Sequence, residues 1–367
     1  MTKVHMSACK LAFSCTRPTA AYRLLPTNST ALRTRSTPTT TRSHLHSSVK
    51  LSALRYQTPS PNVSKLSHRS SASRRWSGGT WSRTNAMVAS GSGEEKAILV
   101  TGGNDGIGLA LCRQLATEHG CRVFLGSRSA ERGQAALQKI SLPEGCDGSV
   151  GLVQVDVSEA GSVNSAAAAV AGLLEEAKLY AIVNNAGIGL SANASGEEVV
   201  NTNLIGTKRV CDAFLPLLCP KEGRIVNVGS GSGPMYVRKC PPQAQAFLCS
   251  PPDSWEQIEA WVTGEYGLGS RVDGDGGYGL SKALVTCYTM LLAKQHPHIT
   301  SSSISPGFID TKMTAGWGAS KSPEEGTVSL RHALFDDLEG NGWYYGSDGV
   351  RSPLHFMRNP GEPAYDG

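Results

Sequence analysis

From Lys96 onward, short uninterrupted apolar runs alternate with longer stretches in which apolar residues recur at helical spacing. The runs at 97–101, 121–125, 152–156 and 180–184 predict four strands, and the stretches 108–118, 130–140 and 163–177 predict the helices between them. The second half continues with a helix over 199–218 closed by Pro220, a strand over 223–230, a helix over 278–294, a strand over 300–307 and an edge strand within 342–349. Strands apolar on both faces, each followed by a helix, belong to a parallel sheet covered on both sides. The prediction is one α/β unit, a doubly wound parallel sheet with helices on both faces. One stretch breaks the alternation. Residues 231–277 are rich in Pro and Gly, carry one predicted helix around 255–262, and read as an insertion beside a site that begins at Tyr278.

Charge divides the 367-residue chain in two. Residues 1–93 hold four Lys and ten Arg with no Asp or Glu, and 31 of them are Ser or Thr. The whole chain carries +5, so residues 94–367 carry about −9, and the basic balance belongs to the leader alone. An acid-free, Ser/Thr/Arg-rich leader without an apolar run is expected of an organellar transit peptide. Its dispersed arginines favour targeting over a nucleic-acid-binding tail, and its Ser/Thr/Pro content favours a chloroplast over a mitochondrion. Residues 94–367 suffice for one domain, with no stable membrane anchoring and no nucleic acid expected. Their eight cysteines form no C-x-x-C pair, so neither a metal site nor a disulfide framework is expected.

The candidate chemistry begins at "TGGNDGIG", 101–108, where a glycine turn joins a strand to a helix. Gly102 permits the tight turn, Gly106 lets the backbone approach a diphosphate, and Gly108 lets helix and strand pack closely. Unpaired N–H groups at the helix start would face the anion. Asp105 is out of place there. "YGLSK", 278–282, sets Tyr278 and Lys282 four residues apart, on one face of a helix. An ammonium beside a phenol is expected to lower the phenol's pKa.

With "VDV" at Asp156, "NNAG" at 184–187, "NTNLIG" around Asn203, "RIVNVGS" ending in Ser230 and "SPGFIDT" at 305–311, these motifs come in an order that resembles the short-chain dehydrogenases/reductases over residues 97 to about 350. The insertion and "KSPEEG" at 321–326 are most similar to the carbonyl-reductase branch. The resemblance implies a Rossmann-type sheet and a catalytic set of Asn203, Ser230, Tyr278 and Lys282. Tyr278 would protonate the substrate oxygen, Ser230 would hydrogen-bond it, Lys282 would tune Tyr278 and hold the nicotinamide ribose, and Asn203 would anchor a relay water. Cofactor contacts would come from Gly102, Asn104, Gly106, Ile107, Gly108, Arg128, Asp156, Val157, Asn184, Ala186, Gly187, Tyr278, Lys282, Pro306, Gly307, Ile309 and Thr311. Two departures stand out: Gly229 where a second Ser is common, and Asp105 where NADP-preferring relatives often have Lys.

Arg128 ends the second strand, where an acid would select NAD and a cation selects the 2′-phosphate of NADP. The expected reaction is therefore NADPH-dependent reduction of an aldehyde or ketone with an apolar body. A plastid reductase of a tetrapyrrole or terpenoid, or a non-catalytic NADP-binding sensor or assembly factor, are the alternatives. The intact Ser–Tyr pair argues against the last. Met235, Phe247, Trp255, Trp261 and Trp317 are candidate pocket residues. In the branch it resembles, the insertion covers the helix face that shorter members use to pair, which implies a monomer.

Overall fold

The computed structural model describes residues 95–189 and 194–367. The leader, 1–93, lies outside the described residues, as does the first acid, Glu94. In chain order the fold runs β1 (Ala97–Val100), α1 (Gly106–His119), β2 (Arg122–Ser127), α2 (Ala130–Leu137), β3 (Ser149–Gln154), α3 (Ala160–Leu174) and β4 (Leu179–Asn184). It continues with α4 (Gly196–Val200), α5 (Gly206–Phe214), β5 (Arg224–Val228), α6 (Ser232–Lys239), α7 (Pro242–Leu248), α8 (Trp255–Thr263) and α9 (Tyr278–Gln295). Last come β6 (Thr300–Ile304), α10 (Val328–Phe335) and β7 (Trp343–Tyr345).

The described strands form one all-parallel sheet in the order β3-β2-β1-β4-β5-β6-β7. Alternate residues of each strand feed two separate cores. Leu99, Phe124, Ile182 and Ile225 face α3, α5 and α9, while Ile98, Val100, Val123, Val183 and Val226 face α1, α2 and α10. Burial on both faces explains the unbroken apolar runs. The chain reverses its winding direction between β1 and β4, and the crevice beyond the C-terminal ends of those strands is where doubly wound sheets bind ligands.

The structure corrects several predicted elements. Helix α1 starts two residues before the expected position, because the Asp105 carboxylate accepts from the Gly106 N–H at 3.0 Å and caps it. The continuous helix expected over 199–218 is broken by a π-helical turn at Asn201–Ile205 between α4 and α5. Such turns are rare and gather at functional sites. The strand expected over 300–307 stops at Ile304, before Pro306. Helix α10 was not anticipated.

The insertion is more ordered than its composition predicts, with α6 and α7 ahead of the expected α8. Tyr236, Val237, Leu248 and Ile258 pack on α9, whose residues from Gly279 to Leu292 are all buried. A helix buried on every side, its polar Ser281, Lys282, Thr286 and Thr289 included, has been taken inside the fold. The insertion closes its outer face.

Candidate active site

The crevice is built at the ends of β1 and β4. Thr101 Oγ1 accepts from the backbone N–H groups of Asn185 and Ala186 at 3.1 and 3.0 Å. In return Asn185 Nδ2 donates to the carbonyls of Thr101 and Gly102 at 2.9 and 3.1 Å. These bonds draw the glycine turn against the "NNAG" loop. Gly102 has φ +66°, and a Cβ there would lie 2.9 Å from Ala186 Cα; one on Gly108 would lie 2.4 Å from the Gly102 carbonyl oxygen. Neither position admits a side chain. Gly106 has φ +51° and faces the Thr311 methyl at 3.3 Å from where a Cβ would stand. The turn thus forms a bare backbone cradle at a helix N-terminus, which fits a diphosphate.

Asp105 finds its partner across the crevice. Besides capping α1, its carboxylate meets Lys312 Nζ at 2.5 Å. The Lys312 hydrogen bond holds its pKa below the usual carboxylate range. Asn104 is half-buried. Ile107 and Ile309 pack against Gly326. Pro306 is half-buried and Gly307, at φ +93°, is exposed.

Arg128 stands exposed just past β2, and among the described residues its guanidinium has no ion pair or hydrogen bond. Ser127 beside it is buried and bonded to the Ser129 carbonyl at 2.8 Å. At the end of β3, Asp156 Oδ1 accepts from the Ser158 N–H and hydroxyl at 3.0 and 2.7 Å, and Val157 is buried against Gly206. Asn184, expected along the cofactor groove, is buried at the end of β4. Its amide turns into the sheet and donates to Asn227 Oδ1 at 2.8 Å, so the contact with the glycine turn falls to Asn185. Sequence reasoning passed over Asn185 and Thr101, although both lie within its motifs.

The π-helical turn carries Asn203 inward. Its Oδ1 accepts from the Ile188 N–H at 2.8 Å, and its Nδ2 donates to the Ile188 carbonyl and Ser281 Oγ at 2.8 and 3.1 Å. Asn203 therefore grips the segment after Ala186 and Gly187. A Cβ on Gly187 would sit 3.2 Å from Asn203 Oδ1 and 3.7 Å from Lys282 Nζ, so these two groups share one small space.

Lys282 is buried, donates to the Val228 carbonyl at 2.7 Å, and lies 5.6 Å from the centre of the Tyr278 ring. Burial pushes its pKa down to about 8. Ser230, just beyond β5, lies beside the Tyr278 side chain and acts to lower its pKa. The phenol's pKa is raised, first by burial and then by the Asp275 carboxylate, with Ser230 opposing. This corrects the expectation of a lowered value. The ammonium lies beside the ring rather than on the hydroxyl, and desolvation wins. A raised pKa keeps Tyr278 protonated at neutral pH, the state of a proton donor. Asp275 accepts from the Gly279 N–H at 3.0 Å and so fixes the start of α9. Gly229 is explained by space: a Cβ there would lie 2.8 Å from Ser303 Oγ and 3.0 Å from the Ile304 carbonyl.

Of the expected pocket residues, Phe247 and Trp261 stack on each other at 4.7 Å and Trp255 sits edge-on to Tyr288, all in the insertion's packing against α9. They serve the core. Met235 and Trp317 are exposed, as are Met313 and Met357, which sequence reasoning did not single out.

The short chain dehydrogenase profile matches residues 96–242. The (+)-neomenthol dehydrogenase of Arabidopsis thaliana is 33% identical over 276 residues, covering 66% of this chain and 92% of its own. Human carbonyl reductase [NADPH] 1 is 33% identical over 264 residues, with 66% and 92% covered. Salutaridine reductase from Papaver somniferum superposes with a TM-score of 0.57 at 26% identity, over 68% of this chain and 99% of that one. The chain belongs to the short-chain dehydrogenase family. It is an oxidoreductase of the carbonyl/alcohol couple, and the sheet, the glycine cradle and the Ser230–Tyr278–Lys282 cluster are the parts such chemistry needs.

Proposed function

We propose that this chain reduces an aldehyde or ketone to the alcohol with NADPH. The observation that carries the reading is the meeting of Ser230, Tyr278 and Lys282 beside a bare glycine cradle. Gly102, Gly106 and Gly108 would hold the diphosphate, with Asn104, Ile107, Ala186, Gly187, Pro306, Gly307, Ile309 and Thr311 along the groove. Asp156 and Val157 would border the adenine. Arg128 would receive the 2′-phosphate, where a planar, permanent charge suits a phosphate best. NADPH bound there would supply a hydride, one proton with two electrons, to the carbonyl carbon.

The chain's own groups manage the oxygen. Ser230 donates to it and so stabilises negative charge as it develops. Tyr278, held protonated by burial, delivers its proton to that oxygen. Lys282 holds the ribose hydroxyls and supports the phenolate left behind, and Asn203 anchors the water that returns a proton from solvent. Similarity to a carbonyl reductase named for NADPH supports the cofactor. Similarity to neomenthol dehydrogenase favours a cyclic, apolar substrate within this reading. We also take residues 1–93 as a chloroplast transit peptide, and the protein as a monomer because the insertion covers α9.

Incubating the purified protein with NADPH and a panel of aldehydes and ketones, followed by NADPH absorbance, tests the reading. Turnover of apolar carbonyls supports it. Cofactor binding without turnover on any member would instead indicate a non-catalytic binder.

A further inference from the structure

The chain beyond β7 ends in a tail fastened by one buried cation. The Arg358 side chain is 3% exposed. Its Nε donates to Ser352 Oγ at 2.9 Å, its Nη1 to the carbonyls of Asn359 and Glu362 at 3.1 and 2.6 Å, and its Nη2 to the Asp348 carboxylate. Asp348 also accepts from the N–H groups of Val350 at 3.3 Å and Gly361 at 3.1 Å. One guanidinium thus ties the turn after β7 to the final segment. A buried ion pair is a weak source of stability, since apolar residues of similar volume often do as well. Its forked geometry does fix orientation.

What it orients is the residue before it. Met357 is 50% exposed, and a Cβ on Gly231 would lie 3.0 Å from its sulfur. Gly231 follows Ser230 directly. On the Tyr278 side, a Cβ on Gly189 would lie 2.7 Å from the Tyr278 ring and 3.4 Å from the Met313 sulfur. Two thioethers from two distant loops therefore stand beside the Ser230–Tyr278 pair, each packed close to a glycine. Exposed methionines are adaptable apolar surface that fits varied shapes.

We propose that Arg358, clamped to Asp348, is a positioning residue that seats Met357 opposite Met313 as an apolar wall beside Ser230 and Tyr278, selecting carbonyl compounds with a bulky apolar body. This rests on the carbonyl-reduction reading above. A merely structural clamp would change stability and affect every substrate alike.

The test compares kcat and KM for a bulky ketone, isopropylcyclohexanone, and a small one, diacetyl, in the wild-type full chain, Met357→Ala and Arg358→Lys. NADPH affinity is read by fluorescence. Truncating the wall should raise KM for the bulky ketone about tenfold, the scale of apolar pocket discrimination, with a smaller change for diacetyl. Arg358→Lys keeps the charge but loses the fork, and should shift the same ratio in the same direction with NADPH affinity retained. If the wild type reduces both ketones and Met357→Ala leaves the ratio intact, the proposal is overturned alone; the exposed Met357 makes this arm independent of folding. If Arg358→Lys lowers both activities equally, the positioning role is overturned. A wild type that binds NADPH and reduces neither ketone overturns the proposal together with the reading it rests on.

Discussion

Asp105 and Lys312 meet at 2.5 Å across the mouth of the glycine turn, joining the start of α1 to the loop after β6. A carboxylate that looked misplaced beside an anionic cofactor is thereby both a helix cap and half of an ion pair. Its charge is balanced where the diphosphate would lie.

Replacing it separates those roles. Asp105→Asn keeps a capping side chain, so stability should change by less than about 1 kcal/mol, the scale of an exposed ion pair. NADPH should bind more tightly, because Lys312 becomes free to act on the phosphates, and the gain should shrink with added salt. Titrations at two ionic strengths check this. An unchanged affinity would mean that neither charge of the pair acts on the cofactor phosphates.

Arg128 sits exposed at the end of β2 without an ion pair or hydrogen bond among the described residues. A charge-assisted bond to phosphate contributes roughly 1.5–3 kcal/mol, so Arg128→Ala should weaken NADPH about tenfold or more. NADH should be nearly unaffected. Equal losses for both cofactors would place the reading of the phosphate elsewhere.

Lys282 makes a prediction about stability and pH. Its folded pKa of about 8 lies below the ordinary 10.5. Below pH 8 both folded and unfolded chains hold the proton, and the penalty of burying the ammonium is present in full. Between pH 8 and 10.5 the unfolded chain keeps a proton that the folded chain has lost, so stability rises with pH. The full window corresponds to roughly 3 kcal/mol. Tyr278, raised above its ordinary value of 10, acts in the opposite sense above that pH. Buried thiols such as Cys112 and Cys211, whose pKa values burial raises, lower the stability as the unfolded thiols ionise, so the Lys282 contribution is read by difference. Urea denaturation from pH 8 to 10 should show a more positive slope in the wild type than in Lys282→Met; equal slopes in the two proteins would refute it.

Helix α9 offers no apolar face to a partner, because the insertion has taken it. Light scattering of the purified protein should give the monomer mass. A stable dimer or tetramer would show that another surface pairs.

The sheet was legible because burial on both faces leaves unbroken apolar runs, and the glycine turn because Gly102 and Gly108 have no room for a side chain. Helices α6 and α7 of the insertion were hidden by Pro241, Pro242, Pro251 and Pro252, which read as loop, although Pro242 opens α7 and the others lie between the helices. The π-helical turn at Asn203 has no signature in apolar spacing, since it shifts the period by one residue only. Lys312 and Asp105 are 207 positions apart, and nothing local announces their meeting. The direction of the Tyr278 shift was misread for the same reason. Helical spacing places Lys282 on its face, while burial by the surrounding loops decides the sign.

The central claim is that Tyr278 delivers the proton. Tyr278→Phe removes one hydroxyl and leaves the ring in its packing, so NADPH affinity should stay within about twofold while kcat on any active carbonyl falls about a hundredfold to ten-thousandfold. Measuring NADPH binding and single-turnover reduction on the same preparation separates the two. Loss of reduction with binding retained is the predicted result; a variant that still reduces carbonyls at close to the wild-type rate would contradict the account.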